Sequence, residues 1–122
     1  MKINPNLLYD VLFEDSSGTS GNILLNRSAA NYSYLEFFYR DGSISSYNNT
    51  KIYSPNGKRI CLCLFFNGSA GTNTQCYNSV YDISGTNVTL TNWYGGGTIW
   101  NNGNGTANKS NNVYITRVLG YK

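Results

Sequence analysis

The chain has 122 residues, a length that fits one domain with one hydrophobic core. Charged residues make up only 12% and the net charge is +3 without any run of basic side chains, which argues against a nucleic-acid partner. No segment approaches the roughly 18 apolar residues that a spanning helix needs, and no secretory leader is recognisable. We therefore expect one domain over residues 1–122, made in a cytoplasm, without insertion into a membrane.

The first half of the chain shows strand patterns and no helical periodicity. Four strands are predicted, each bounded by Gly, Asn, Ser or Pro: residues 7–14, 22–26, 32–40 and 43–53. In the third, alternation places Leu35, Phe37 and Tyr39 on one face. The other face carries Glu36, which we expect to be solvated or paired with Arg40. The run Ser-Pro-Asn-Gly at 54–57 predicts a turn after these strands.

The second half predicts four more strands: residues 59–66, 75–83, 87–91 and 113–120. The first of them is apolar on both faces, a pattern typical of a central strand covered on both sides. In the last, Val113, Ile115, Arg117 and Leu119 are expected on one face. Eight or nine short antiparallel strands predict a single all-β domain, a β-sandwich or jelly-roll-like fold with no helix longer than about two turns.

The three cysteines are expected to be reduced and mostly buried. Cys61 and Cys63 lie two apart in the strand that is apolar on both faces, and Cys76 lies in the next strand. An odd number of cysteines without a leader argues against a disulfide framework. A metal site would need further ligands, and the chain contains no histidine. We therefore expect neither a metal nor a cofactor.

The composition also argues against catalysis. Without histidine, Ser-His-Asp and Cys-His arrangements are impossible, and no phosphate-binding loop of the Gly-Lys-Ser/Thr type is present. A pair of carboxylates, as in glycosidases, is the one catalytic route left. We expect no catalytic residue, and a protein that works by binding.

The segment from Trp93 to Asn102 is the candidate binding site. Two tryptophans and a tyrosine flank three consecutive glycines in a region that looks like a loop. Aromatic rings stack on the apolar faces of sugars, and amide groups bond to sugar hydroxyls, so this composition favours a glycan ligand. The predicted ligand-binding residues are Trp93, Tyr94, Trp100, Asn101 and Asn102. The alternative is that both tryptophans anchor the core or an interface, and that the glycines allow a bulge.

Five motifs resemble, in the same order, a group of tail, baseplate or minor structural proteins of siphophages and prophages of gut bacteria. They are LLYD at 7–10, YLEFFYR at 34–40, IYSPNGK at 52–58, DISGT at 82–86 and VYITRVLGYK at 113–122. The resemblance implies a virion domain at or near a tail tip, often a homotrimer, that contacts the host surface. Cys61, Cys63 and the segment from Trp93 to Trp100 have no counterpart in it, so it transfers no binding site.

The leading hypothesis is therefore a tail-associated structural or receptor-binding domain of a phage or prophage, synthesised in the bacterial cytoplasm and carried in the virion. Its expected partners are further copies of itself and a carbohydrate of the host cell surface. The second hypothesis is a lectin-like carbohydrate-binding module of a bacterium without a role in a virion. A small glycosidase is third.

Overall fold

The computed structural model describes the backbone of residues 8–42, 46–67, 73–101, 106–108 and 111–122, and their side chains except at 66–67, 73–75, 96–101 and 106–108. Within these residues the fold is all-β, as predicted, and the one helical element is a short 3-10 turn at Ala29–Asn31. The strands are β1 (Tyr9–Thr19), β2 (Ile23–Leu24), β3 (Tyr34–Arg40), β4 (Tyr47–Tyr53), β5 (Arg59–Asn67), β6 (Asn73–Ser84), β7 (Asn87–Asn101), β8 (Thr106–Asn108) and β9 (Tyr114–Tyr121). No helix in this part of the chain is long and apolar enough to cross a membrane.

The strands form two antiparallel sheets. Sheet A has the order β1-β9-β3-β4, and sheet B has the order β2-β7-β6-β5, with β8 also paired to β7. Strands from opposite ends of the chain pair with each other, β1 with β9 and β2 with β7, as in a jelly roll. By contrast, β3–β4 and β5–β6 are hairpins of consecutive strands. In each sheet, a long-range pair therefore lies at one side and a hairpin of consecutive strands lies at the other.

The core lies between the two sheets, which identifies the fold as a β-sandwich. Sheet A contributes Leu35 and Phe37, both fully buried, and sheet B contributes Leu62, Tyr81 and Val88. The predicted inward face of β3 is confirmed, because Tyr39 also points into this core. Burial of apolar surface at about 25 cal/mol per Å² is the main force that holds the sheets together.

The turn at 54–57 carries the chain from sheet A to sheet B. Gly57 has a φ of +80°, a conformation that glycine adopts without the steric cost other residues meet. The side-chain oxygen of Asn56 accepts a hydrogen bond of 2.8 Å from the backbone of Gly85, and Gly57 donates one to Ile83. The predicted turn is thus confirmed, and these bonds fix β4 relative to the β6–β7 hairpin.

Three strand predictions were wrong in part. The first strand was predicted to end at Glu14 but continues to Thr19, with an irregular register after Glu14. The strand predicted at 87–91 extends to Asn101. In β9, a bulge opposite β3 changes the phase of the alternation, so that Ile115 and Val118 enter the core and Arg117 is exposed.

The strand of residues 59–66 is not central. It forms most of β5, the edge of sheet B, and only its inward face is covered. Ile60, Leu62 and Leu64 are buried, whereas Cys61 and Phe65 are exposed. The outward face is apolar in composition but has no layer packed over it among the described residues.

Candidate functional site

The predicted binding segment is a strand and not a loop. Its three glycines pair with residues 76–78 of β6, and Gly96 and Gly97 also pair with β8. Backbone hydrogen bonds to the neighbouring strands therefore keep this segment in the sheet, although its composition predicted a loop. Trp93 is exposed and Tyr94 is half-buried. Trp100 and Asn101 belong to β7 but their side chains lie outside the described part, as does Asn102 entirely.

A bulge places Trp93 on the outer face of sheet B. Between the pairs Tyr81↔Leu90 and Ser79↔Tyr94, three residues of β7 face the single Val80 of β6. Such bulges re-aim a side chain. The hydroxyl of Thr91 fixes this one, because it donates to the carbonyl of Val80 at 2.8 Å and accepts from the backbone of Trp93 at 3.0 Å.

One guanidinium group lies over the Trp93 ring. The Cζ atom of Arg59 is 4.5 Å from the ring centroid, within cation–π distance. Asp82 holds Arg59 through two hydrogen bonds, from Nε at 2.6 Å and from Nη2 at 3.1 Å. The same bonds lower the pKa of Asp82. Trp93 therefore offers a ring that is 62% exposed but already has a charged group on it.

The outer face of sheet A carries a row of four aromatic rings that the sequence did not reveal. Tyr9, Tyr121, Tyr34 and Tyr53 are cross-strand partners in the order β1, β9, β3 and β4, so they lie side by side across the whole sheet. Their successive ring centroids are 5.6, 4.4 and 5.0 Å apart, and the central pair is stacked at 8°. We call this set the tyrosine row. Finding it requires the strand register, which composition and alternation do not supply.

Glu36 lies beside the tyrosine row and is buried, contrary to the expectation of a solvated carboxylate or a pair with Arg40. Its carboxylate accepts hydrogen bonds from Nδ2 of Asn49 at 2.7 Å and from the hydroxyl of Tyr121 at 3.0 Å. Burial first, and then the bond to Glu36, raise the pKa of Tyr121 to about 12. Arg40 instead lies over the ring of Tyr114, at 5.4 Å.

A groove of about 430 Å³ opens on sheet A at the opposite end from the tyrosine row. Its lining combines rings, amides and charges: Glu14, Phe38, Tyr47, Asn48, Asn49 and Arg117. Arg117 lies 4.8 Å from the centroid of the Phe38 ring, and Tyr47 is 66% exposed. Among the described residues that line the groove, Glu14 is the one carboxylate. The groove therefore offers a free ring next to several hydrogen-bonding groups.

The three cysteines are free, but the prediction that they are buried was wrong. Cys61 is exposed and Cys63 and Cys76 are half-buried. The reason is that all three lie on the outer face of sheet B, which no second layer covers among the described residues. Among the residues whose side chains the structure describes, no group of three or more His, Cys, Asp or Glu is placed to hold a metal ion.

The sequence matches no protein-family model, and no curated protein is significantly similar to it. The surfaces described above are therefore interpreted from their own chemistry.

Proposed function

We propose that this protein is a non-catalytic domain that binds a glycan of a host cell surface in the groove on sheet A. The observation that carries the proposal is the groove itself, where the exposed ring of Tyr47 stands beside Arg117, Asn48 and Asn49. A sugar ring stacks its apolar face on an aromatic ring while its hydroxyls exchange hydrogen bonds with amide and guanidinium groups. A concave site with a few convergent polar groups is the usual form of a small-ligand site.

The groove is a better site than Trp93 for two reasons. First, the groove is concave, whereas Trp93 stands on the face of a sheet. Second, Arg59 lies over the Trp93 ring, so a sugar on that side would have to displace a guanidinium held by Asp82. Of the ligand-binding residues predicted from sequence, Trp93 has an exposed ring, and a binding experiment compares it directly with the groove.

The proposed setting is the tail tip or baseplate of a phage or prophage, where several copies act together. The resemblance of five ordered motifs to tail proteins supports this setting. One stacked sugar contributes about 1–3 kcal/mol, which gives weak binding to a single copy. In a homotrimer, binding of one groove raises the effective concentration of the other two at the cell surface. Self-association would therefore raise the overall affinity of a weak site. A free bacterial carbohydrate-binding module is the second proposal, because it needs the same groove and no virion.

A binding experiment with matched variants tests the site. Tyr47→Ala and Arg117→Ala are compared with wild type on host cells and on an array of bacterial surface glycans. Tyr53→Ala is the control, because Tyr53 lies on the same strand and face with similar exposure but outside the groove lining. We expect the two groove variants to lose about tenfold or more in affinity, and the control to bind like wild type.

The same experiment includes Trp93→Ala. If this variant loses binding while Tyr47→Ala keeps it, the glycan site lies on sheet B and the groove is the wrong surface. If wild type binds none of the glycans or host cells, glycan recognition itself is refuted. Melting temperatures of all variants show that losses of binding do not come from unfolding.

The setting is tested independently of the ligand. Mass spectrometry of purified particles from an induced host should detect the chain at a few copies per virion, and light scattering of the pure protein should give three times 13.5 kDa. A 13.5 kDa monomer that is absent from particles would support the free module instead.

A further inference from the structure

The outer face of sheet B carries a pair of thiols that none of the proposals above uses. Cys61 and Cys63 alternate with the core residues Ile60, Leu62 and Leu64, so both point outward from the same edge strand. Their Sγ atoms are 3.4 Å apart. Cys61 is exposed, so a solute can reach the pair from solvent.

The strand geometry favours chelation over a disulfide. Residues two apart in a strand have Cα atoms about 6.7 Å apart, at the upper limit of what a disulfide spans. Cross-strand pairing of Cys61 with Val80 and of Cys63 with Asn78 holds β5 extended, so contraction to a disulfide would break this ladder. A chelated ion needs no such contraction.

The gap between the sulfurs fits a bound ion. Two metal–sulfur bonds of about 2.3 Å, the length found for zinc, meet at about 95° across the 3.4 Å gap. Opening the gap by about 0.4 Å brings this angle to the tetrahedral value. Small rotations of two side chains on an uncovered face supply that opening without moving the backbone.

We propose that Cys61 and Cys63 form a two-thiolate site for a soft d¹⁰ cation of the Zn²⁺ class, with its remaining coordination positions open to water or to an external ligand. On binding, each thiol releases its proton to solvent, two metal–sulfur bonds form and two metal-bound waters leave. Soft thiolate ligands select such ions over Mg²⁺ or Ca²⁺. The site has two protein ligands, fewer than a closed structural zinc site, so it is an exchangeable one.

Two further features bear on the site. Burial, followed by the hydrogen bond and charge of Cys63, raises the pKa of Cys61 to about 11, so the free thiol of Cys61 is protonated at neutral pH and slow to react with oxidants. Cys76 lies on the same outward face in the adjacent strand, opposite Phe65. It is the third thiol of this face but lies outside the close pair, which makes it the natural control.

The test is a titration of the reduced protein with Cd²⁺, an ion of the same class whose bonds to thiolates give an ultraviolet charge-transfer band. Wild type and Cys76→Ser should both develop the band to an end point of one ion per chain. Loss of outer-shell partners alone costs about 10–100-fold in metal affinity, so Cys61→Ser and Cys63→Ser, which each remove a direct ligand, should bind at least about 100-fold more weakly. A large excess of Zn²⁺ should displace Cd²⁺ and bleach the band, because thiolates prefer the softer Cd²⁺.

Three results would overturn the proposal. Wild type without the band would show that the pair does not chelate. If Cys76→Ser lost as much Cd²⁺ affinity as Cys61→Ser and Cys63→Ser, the ion would be held by a different set of thiols. A mass lower by two hydrogens in wild type, but not in Cys61→Ser, after exposure to air would show that the pair forms a disulfide instead. Circular dichroism of each variant excludes unfolding as the cause.

Discussion

The outer faces of the two sheets are built from similar residues and yet differ in organisation. On sheet A, aromatic side chains lie in register on adjacent strands and form the tyrosine row, and a buried carboxylate is bonded to two neighbours. On sheet B, Trp93, Phe65 and Cys61 each stand largely exposed. Tyr121 and Tyr34 therefore become part of the structure because each has a ring on both sides, whereas Tyr53 at the end of the row and Trp93 on sheet B stay largely exposed.

The largest expected contrast is between one ring of each face. Tyr121→Ala removes two ring contacts and the bond to Glu36, and should lower the free energy of unfolding by about 2–4 kcal/mol. Trp93→Ala should cost less than about 1 kcal/mol, because the ring is 62% exposed. Urea unfolding followed by circular dichroism measures both. If both variants lost the same free energy of unfolding, the aromatic rings of the two faces would contribute equally to stability, against this interpretation.

A smaller contrast concerns two glutamates on sheet A. Glu36→Ala leaves the amide of Asn49 and the hydroxyl of Tyr121 without their acceptor, at a cost of about 1–3 kcal/mol. Glu14→Ala, at an exposed position of the groove, should change stability by less than about 0.5 kcal/mol. Thermal unfolding separates the two by several degrees. If Glu36→Ala were as stable as wild type, the hydrogen bonds of Glu36 would contribute nothing to stability.

Removing the Arg59–Asp82 ion pair of sheet B should have a still smaller effect on stability. Arg59→Ala breaks an exposed pair with Asp82 and the contact with Trp93, so we expect only a small loss of stability. The informative signal is the emission of Trp93, which should shift to longer wavelength as the ring gains solvent. Trp93→Phe identifies its share of the spectrum. An unchanged emission would contradict the contact.

On the acid side, the pH dependence of stability should be modest, and Asp10 should contribute to it. Tyr32 first, and then the charges of Lys122 and Arg27, lower the pKa of Asp10 below its ordinary value of about 3.9. A lowered folded-state pKa means that this stabilisation is present above about pH 4 and is lost as the pH falls through the folded value. Asp10→Asn should therefore be less stable than wild type at pH 7 and equal to it near pH 2. A difference that persists at pH 2 would contradict this account.

The sequence predicted those features that depend on one strand alone. The inward face of β3 followed from its alternation, and the turn at 54–57 followed from its Pro and Gly. Features that depend on a neighbouring strand were missed: the tyrosine row, the acceptor role of Glu36 and the phase change at Arg117. Alternation also says nothing about whether a second layer covers an apolar face, which is why the thiols of β5 were expected in the core.

The glycine-rich part of β7 shows a related limit. Three consecutive glycines predict a loop because they have no side chains to pack and high conformational freedom. Here strands on both sides pair with that stretch, and backbone hydrogen bonds form regardless of side chains. Trp93 owes its position to the bulge that precedes the glycines, a feature for which the sequence carries no recognisable signal.

The pairing of β1 with β9 has a mechanical consequence. Tyr9 faces Tyr121, and the backbone of Lys122 donates to Leu8, so the start of β1 and the end of β9 lie at the same end of the paired strands. A force that pulls these two ends apart would load the hydrogen bonds of the pair one after another, as in opening a zipper. A force between one end and the groove would instead load many strands at once. The domain should therefore resist a force applied between its groove and one end of the chain better than a force applied between its two ends.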